Sequence, residues 1–346
     1  MYKILASEKT WIESEAVNSV KRLCNLKGAI NVVGYPDLHP GKTPVGISFI
    51  SKKIIYPNLI GNDIGCSISL FETSTLKRKF KIDKVMKTLN SIETLSEYND
   101  FNKGSIGGGN HFCEFTIIDK VLDENEYNIL NLDKNKIYLL VHSGSRGFGE
   151  FILNRYIKEY ALEDGFVEGS SEFTSYMNDH NKAITFAKES RQVIATNMCN
   201  TCNVTLDKII IDNIHNGIEV KDEYYIHRKG ASSSNDGYAI IAGSRGTPSY
   251  IVKPINSSLE SGFSISHGAG RKWARKSCKE KLQGKFLRKD IKSNNFDYNL
   301  VCKNKNLIYE EAPEAYKNID SIISDLVNFN LIKVVAKLKP LVTYKE

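Results

Sequence analysis

The chain has 346 residues, 41% of them hydrophobic and 25% charged, and a net charge of +7. That is enough for one large domain with a core of ordinary size, and no apolar run approaches the ~18 residues of a transmembrane helix. Seven cysteines, an odd number without framework spacing, exclude a disulfide scaffold and point to reduced thiols in a cytoplasm. The positive charge permits an anionic partner without requiring one.

At the start, Glu8 stands where an export signal needs its apolar stretch, so a cytoplasmic location is expected. Residues 11–26 read as an amphipathic helix, with Ile12, Ala16, Val20 and Leu23 at helical spacing and Gly28 closing it. A short strand over 29–33 runs into residues 34–41, a loop by its Pro and Gly content. Residues 46–60 suggest a hairpin or strand pair leading to Asp63. A second amphipathic helix is expected over 81–97, then a glycine-rich irregular stretch over 104–111 and strands over 112–118 and 137–141. A flexible loop follows over 142–149, and residues 173–200 are helical by pattern. Short strands precede loops at 212–217, 227–231, 243–250 and 266–271. Ten Lys or Arg crowd residues 271–292, one helix is expected over 317–327, and two short apolar segments lie around 331–343. With no repeat or linker, the simplest partition is a single domain, 1–346, of mixed α/β (α+β) class with mixed sheets flanked by helices.

One pattern recurs: an apolar strand, then a permissive loop bearing His, Asp, Cys, Asn or Arg. It appears at Asp37/His39, Asp63/Cys66, His142/Arg146, His215/Asn216 and His267/Arg271, with Asn110/His111 in a similar loop. Rigid scaffolds present functional side chains at such strand ends. Asp63, Cys66, His111, His142 and His215 together could form a carboxylate, thiolate and imidazole metal site. The thiolate favours zinc, the other donors also suit manganese or iron, and five ligands raise the possibility of two metals. The bland alternative for Cys66 is a small buried hydrophobe. Gly41-Lys42-Thr43 resembles the end of a phosphate-binding loop, but Pro36 occupies its first glycine position. Cys199 and Cys202 have no second pair and read as two reduced thiols. The basic run from Arg271 is either a solvated helix face or a polyanion-binding surface. His267 lies among glycines that admit a large ligand, and Arg271 can neutralise phosphate; spacing leaves nucleophile, base and ligand all open for the imidazole.

These residues resemble the RtcB family of RNA ligases. The resemblance rests on Pro36-Asp37-Leu38-His39-Pro40-Gly41, Asp63-Ile64-Gly65-Cys66, the stretch from Gly107 to Glu114, and His142-Ser143-Gly144-Ser145-Arg146-Gly147. It continues through His215-Asn216, His227 to Ala231, Gly243 to Thr247, His267-Gly268-Ala269-Gly270-Arg271, Glu311 to Lys317 and Lys345, in the family's order. It implies a GTP- and manganese-dependent ligase that joins an RNA 3′-phosphate or 2′,3′-cyclic phosphate to a 5′-hydroxyl. His267 would attack GTP and carry GMP, while Asp63, Cys66, His111, His142 and His215 would hold two Mn²⁺ with Cys66 bridging. Asn110, Glu114, Asn216, Ser244, Gly246, Gly268, Gly270, Tyr316 and Lys345 would surround the nucleotide, with Arg146 and Arg271 facing phosphate. An activating protein partner is compatible with this, and no membrane is involved. The chain departs from the family at Asn62, Gly65, Ser190 and Arg245 and is short for it, which bears on the RNA it acts on rather than on ligands or nucleophile. A metal-dependent phosphoesterase acting on RNA ends and a non-catalytic RNA-binding protein are the alternatives.

Overall fold

The computed structural model describes residues 1–96, 100–285 and 298–346. Its first strands are β1 (Tyr2–Ile4), β2 (Ala29–His39), β3 (Val45–Ser51), β4 (Ile54–Ile55), β5 (Ser67–Leu76) and β6 (Phe112–Val121). Next come β7 (Lys136–Ser143), β8 (Phe166–Val167), β9 (Leu206–Ile214), β10 (Asn216–Lys221), β11 (Tyr224–Lys229) and β12 (Ala231–Ser233). The last are β13 (Ala239–Ile241), β14 (Ser249–Pro254), β15 (Ser264–Ser266), β16 (Leu300–Cys302) and β17 (Ile332–Lys345). The helices used below are α1 (Ser14–Leu23), α2 (Pro57–Ile60), α3 (Ile82–Ser91), α4 (Glu124–Ile129), α5 (Arg146–Glu159), α6 (Ser171–Cys202) and α7 (Arg275–Leu282). The class is mixed α/β, as expected from sequence.

A five-stranded sheet has the order β1-β2-β3-β11-β10; an eight-stranded sheet runs β13-β14-β17-β6-β7-β5-β9, with β16 beside β17. Two two-stranded ribbons, β12-β15 and β4-β8, complete the pairing. Register in the larger sheet determines where the candidate ligands meet. Ser67 pairs with both Ser143 and Ile214, and Phe112 pairs with His142. Cys66, His111, His142 and His215 therefore stand at one end of four adjacent strands.

Helix α6 lies against this sheet, with Ile194, Ala195, Met198 and Cys199 packed on Phe115, Leu139 and Val141. Each fully buried aliphatic side chain there contributes about 1.5–3 kcal/mol. Ser170 caps the helix by accepting from the Phe173 amide, and Asn203 ends it in a left-handed turn. A second core joins β2, β13, β14 and β15 to the helix Ile319–Asn328 through Val33, Ile241, Val252, Ile265 and Ile322. Among the described residues, no helix is long and apolar enough to cross a membrane.

Several sequence expectations are corrected. Residues 34–39 are extended rather than looped: the β2–β3 ladder breaks between Gly34 and His39, so Pro36 sits where no ladder hydrogen bond is asked of it. Strands β3 and β4 are not a hairpin, because β4 pairs with β8 and α2 follows it. The second amphipathic helix ends at Ser91, and the end of its expected range, at residue 97, lies outside the described residues. The flexible loop expected over 142–149 shrinks to Gly144 and Ser145, since β7 runs to Ser143 and α5 begins at Arg146. Position 149 in that helix is a glycine because a Cβ there would meet the Asn62 carbonyl at 2.1 Å. The expected loop at 212–217 shrinks to His215 alone between β9 and β10. The two apolar segments around 331–343 are one strand, β17, whose register shifts after Pro340. The basic run includes α7, and its residues 286–292 lie outside the described residues.

Candidate active site

The ends of β5, β6, β7 and β9 open onto a cavity of about 1020 Å³, at the upper end of what a small-molecule site needs. Asp63, Cys66, His142, His215 and His267 line it. Among the described residues, Cys66, His111 and His142 bring their ligand atoms within 4.8 Å of one another. Asp63 Oδ2 lies 2.9 Å from His111 Nε2, Cys66 Sγ lies 3.4 Å from the same nitrogen, and the Nε2 atoms of His142 and His215 are 3.3 Å apart. The five residues expected to form a metal site thus do converge. Arg146 donates to His111 Nδ1 at 3.1 Å, so Nε2 carries the ring proton and donates it to Asp63.

Burial disfavours ionisation of Asp63, yet the His111 ring, Cys66 and Arg146 hold its carboxyl below the usual range. Burial and the neighbouring Asp63 carboxylate push the Cys66 thiol well up. Burial, with the other imidazoles around them, drives His142 and His215 down, so both are neutral and can ligate. His215 Nδ1 is buried without a hydrogen-bond partner. A hard carboxylate, a soft sulfur and three imidazoles, one of them with an orphaned nitrogen, are a donor set that fits divalent transition metals.

Backbone positions explain the convergence. Gly65 adopts φ +74°, and a Cβ on Gly144 would fall 2.2 Å from Asp63 Oδ1. Arg191, on α6 and almost fully buried, donates to the Gly65 carbonyl at 2.8 Å, the Ser143 carbonyl at 3.0 Å and Asp212 Oδ2 at 3.0 Å. Asn216 donates from Nδ2 to the Asp63 carbonyl at 2.5 Å, and Lys229 donates to the Ile60 carbonyl at 2.6 Å.

His267 follows β15, and its ring centroid is 4.8 Å from that of His215. Its Nδ1 lies 2.8 Å from Asp37 Oδ2, while Asp37 Oδ1 accepts from Ser266 Oγ at 2.8 Å. Asp37 is fully buried; burial pushes its pKa up, but His267 and Ser266 outweigh this and hold it low. The carboxylate accepts a hydrogen bond from Nδ1–H, which fixes the tautomer and leaves Nε2 with a free lone pair. Lys317 Nζ donates to the carbonyls on either side of Asp37, at Pro36 (2.9 Å) and Leu38 (2.7 Å).

The other expected residues divide. Asn110, Glu114, Asn216, Ser244, Gly268, Gly270, Tyr316 and Lys345 line the cavity. Burial raises Glu114 to about 7, opposed by Thr343 and Lys345, and lowers Lys345 to about 8, with Glu311 opposing. Arg271 also lines the cavity, but its guanidinium is braced by Glu311 (3.2 Å), Tyr316 (3.2 Å) and the Glu310 carbonyl (2.7 Å). Arg146 lies behind His111 rather than on the cavity wall, and Gly246 instead packs against Tyr298. Sequence reasoning missed the roles of Asp37, Arg191, Lys229 and Glu311. Asp37, Lys229 and Glu311 left a signal as members of motifs that carry the resemblance, whereas Arg191 read only as part of a helix. Cys199 and Cys202 are free thiols buried in the α6 core, away from the cavity.

A family model described as tRNA-splicing ligase RtcB matches residues 91–346. The RNA-splicing ligase RtcB2 of Escherichia coli (strain ATCC 25922) is 38% identical over 362 residues, covering 99% of this chain and 95% of that protein. The chain belongs to the RtcB family. More distant RtcB relatives are the tRNA-splicing ligases of Archaeoglobus fulgidus, 28% identical over 69% of this chain and 58% of that protein, and Nanoarchaeum equitans, 24% identical over 99% and 92%. The family match covers the candidate ligands from His111 onward and His267; Asp63 and Cys66 precede it but lie within the alignment to the E. coli RtcB2 protein.

Proposed function

We propose that residues 1–346 form one catalytic domain that joins RNA ends, using GTP and Mn²⁺. The observation that carries this reading is the juxtaposition of His267, oriented by a buried Asp37, with a donor cluster of which Asp63, Cys66, His142 and His215 line the same cavity and His111 lies behind them. His267 Nε2 attacks the α-phosphorus of GTP, forming an N–P bond as pyrophosphate leaves. The Asp37 carboxylate, which accepts the hydrogen bond from Nδ1–H, stabilises the positive charge that develops on the ring. His267 then passes GMP to the RNA 3′-phosphate, and the incoming 5′-hydroxyl displaces GMP to close the phosphodiester. A bare phosphomonoester is a poor electrophile, which is why activation precedes joining. Asp63, Cys66, His111, His142 and His215 would hold two Mn²⁺, which when bound would supply charge neutralisation for the phosphates.

Around the nucleotide, Glu114 and Lys345 offer an acceptor and a donor, and Tyr316 a ring face, within the same cavity. The relatives are named for RNA splicing and tRNA splicing, and the proposed substrate is a cleaved RNA with 3′-phosphate or cyclic phosphate and 5′-hydroxyl ends. The experiment is a ligation assay on such an oligonucleotide pair with GTP and Mn²⁺. Joined product that requires both supports a ligase. Phosphate release without joining would instead mark a phosphoesterase, and binding without either reaction a non-catalytic RNA-binding protein.

A further inference from the structure

The end of β17 holds both ends of one loop. Lys345 donates from Nζ to the His111 carbonyl, 2.6 Å away. Glu346 takes the other end: Oε2 accepts from the Ile106 amide at 3.3 Å, and Oε1 from the Leu95 amide and the Thr94 hydroxyl, each at 2.8 Å. The Ile106 carbonyl accepts from Ser143 Oγ at 3.0 Å, one residue after His142, and the Gly104 amide donates to Ser190 Oγ at 2.9 Å. Between these anchors lie Gly107, Gly108 and Gly109, then Asn110 and His111. Gly107 and Gly109 have φ of +88° and +69°, and a Cβ on Gly108 would meet nothing within 4 Å. Three glycines in a row carry little stiffness of their own. The placement of His111 is therefore decided by what grips Ile106 and His111.

We propose that Glu346 is a positioning residue for the loop carrying Asn110 and His111, acting on metal affinity through the Ile106 amide. Lys345 alone cannot fix this loop, because it holds only the His111 end and also faces the cavity. Glu346 supplies a second point, at the Ile106 amide beside the Ser143 bond to the Ile106 carbonyl, and does not itself line the cavity. The inference rests on the reading of His111 as a metal ligand, and partners behind a ligand typically change metal affinity about 10- to 100-fold when removed.

The test compares the full chain with Glu346→Ala, Glu346→Gln and His111→Ala, using two readouts that need no turnover. One is amide hydrogen exchange over residues 94–111 without metal; the other is Mn²⁺ affinity from the electron paramagnetic resonance signal of free Mn²⁺. Expected in Glu346→Ala are faster exchange over 94–111 and about tenfold weaker Mn²⁺ binding. Glu346→Gln, with one acceptor oxygen in place of two, should fall between. Unchanged exchange in Glu346→Ala would overturn the clamp. Faster exchange with unchanged Mn²⁺ affinity, while His111→Ala does lose affinity, would overturn the positioning role and leave the metal reading standing. If His111→Ala binds Mn²⁺ like the unaltered chain, the metal reading fails and the positioning role fails with it.

Discussion

A histidine attacks phosphorus only through an unprotonated nitrogen, and here Asp37 decides which nitrogen that is. Three donors converge on its buried carboxylate: the Ser266 hydroxyl at 2.8 Å, the His267 amide at 3.3 Å and the His267 ring at 2.8 Å. Asp37→Asn keeps the size but replaces one acceptor oxygen with a donor. It should slow nucleotide transfer to His267 by at least about 100-fold while leaving the thermal midpoint within a few degrees, by analogy with other oriented histidines. Transfer at the original rate would show that Asp37 has no such role. Glu114 gives a second test at this scale. Burial raises its pKa from 4.5 to about 7, so between those values the folded chain holds a proton that the unfolded chain has released. Stability therefore falls as pH rises from 4.5 to about 7 through this group, by up to about 3 kcal/mol. Buried His142, His215 and His227 are driven down and contribute with the opposite sign over that range. The test is therefore a difference: the stability of the unaltered chain relative to Glu114→Gln, from urea unfolding, should fall by up to about 3 kcal/mol as pH rises from 4.5 to about 7.

At the scale of elements, α6 is what locks the site to the sheet. Arg191 joins the Asp63–Cys66 loop at Gly65, the end of β7 at Ser143 and the edge strand β9 at Asp212. Arg191→Met leaves Asp212 without its cation in a mostly buried setting, which should lower stability by about 3–5 kcal/mol in urea unfolding. A loss under about 1 kcal/mol would mean that helix packing alone carries the lock. Helix α6 was legible in the sequence because its apolar spacing is local: 173–200 by pattern against Ser171–Cys202 in the structure. The start of α5 was not, because Gly147 and Gly149 read as loop residues. Gly149 is a glycine because of its close approach to Asn62, a contact with a distant segment, and not because the chain loops there. Strand β17 was split in two for a similar reason. Pro340 reads as a breaker, yet it falls at a register shift where the ladder tolerates it.

Over the whole molecule, residue types were legible and distances were not. Five strand-end motifs and the similar Asn110/His111 loop announced a site, but Cys66, His111, His142 and His215 meet only because β5, β6, β7 and β9 are neighbours in one sheet with that register. Likewise nothing local ties Asp37 to His267, or Glu346 to Ile106. The alignment to a relative that spans 99% of this chain agrees with a site assembled from both halves of the sequence. The central claim is that these parts make His267 a carrier of GMP. Incubating the chain with α-³²P-labelled GTP and Mn²⁺ tests it most directly. The account predicts an acid-labile, alkali-stable label on the protein that disappears in His267→Ala; a folded, Mn²⁺-loaded chain that takes up no label, or a His267→Ala variant that still does, would contradict it.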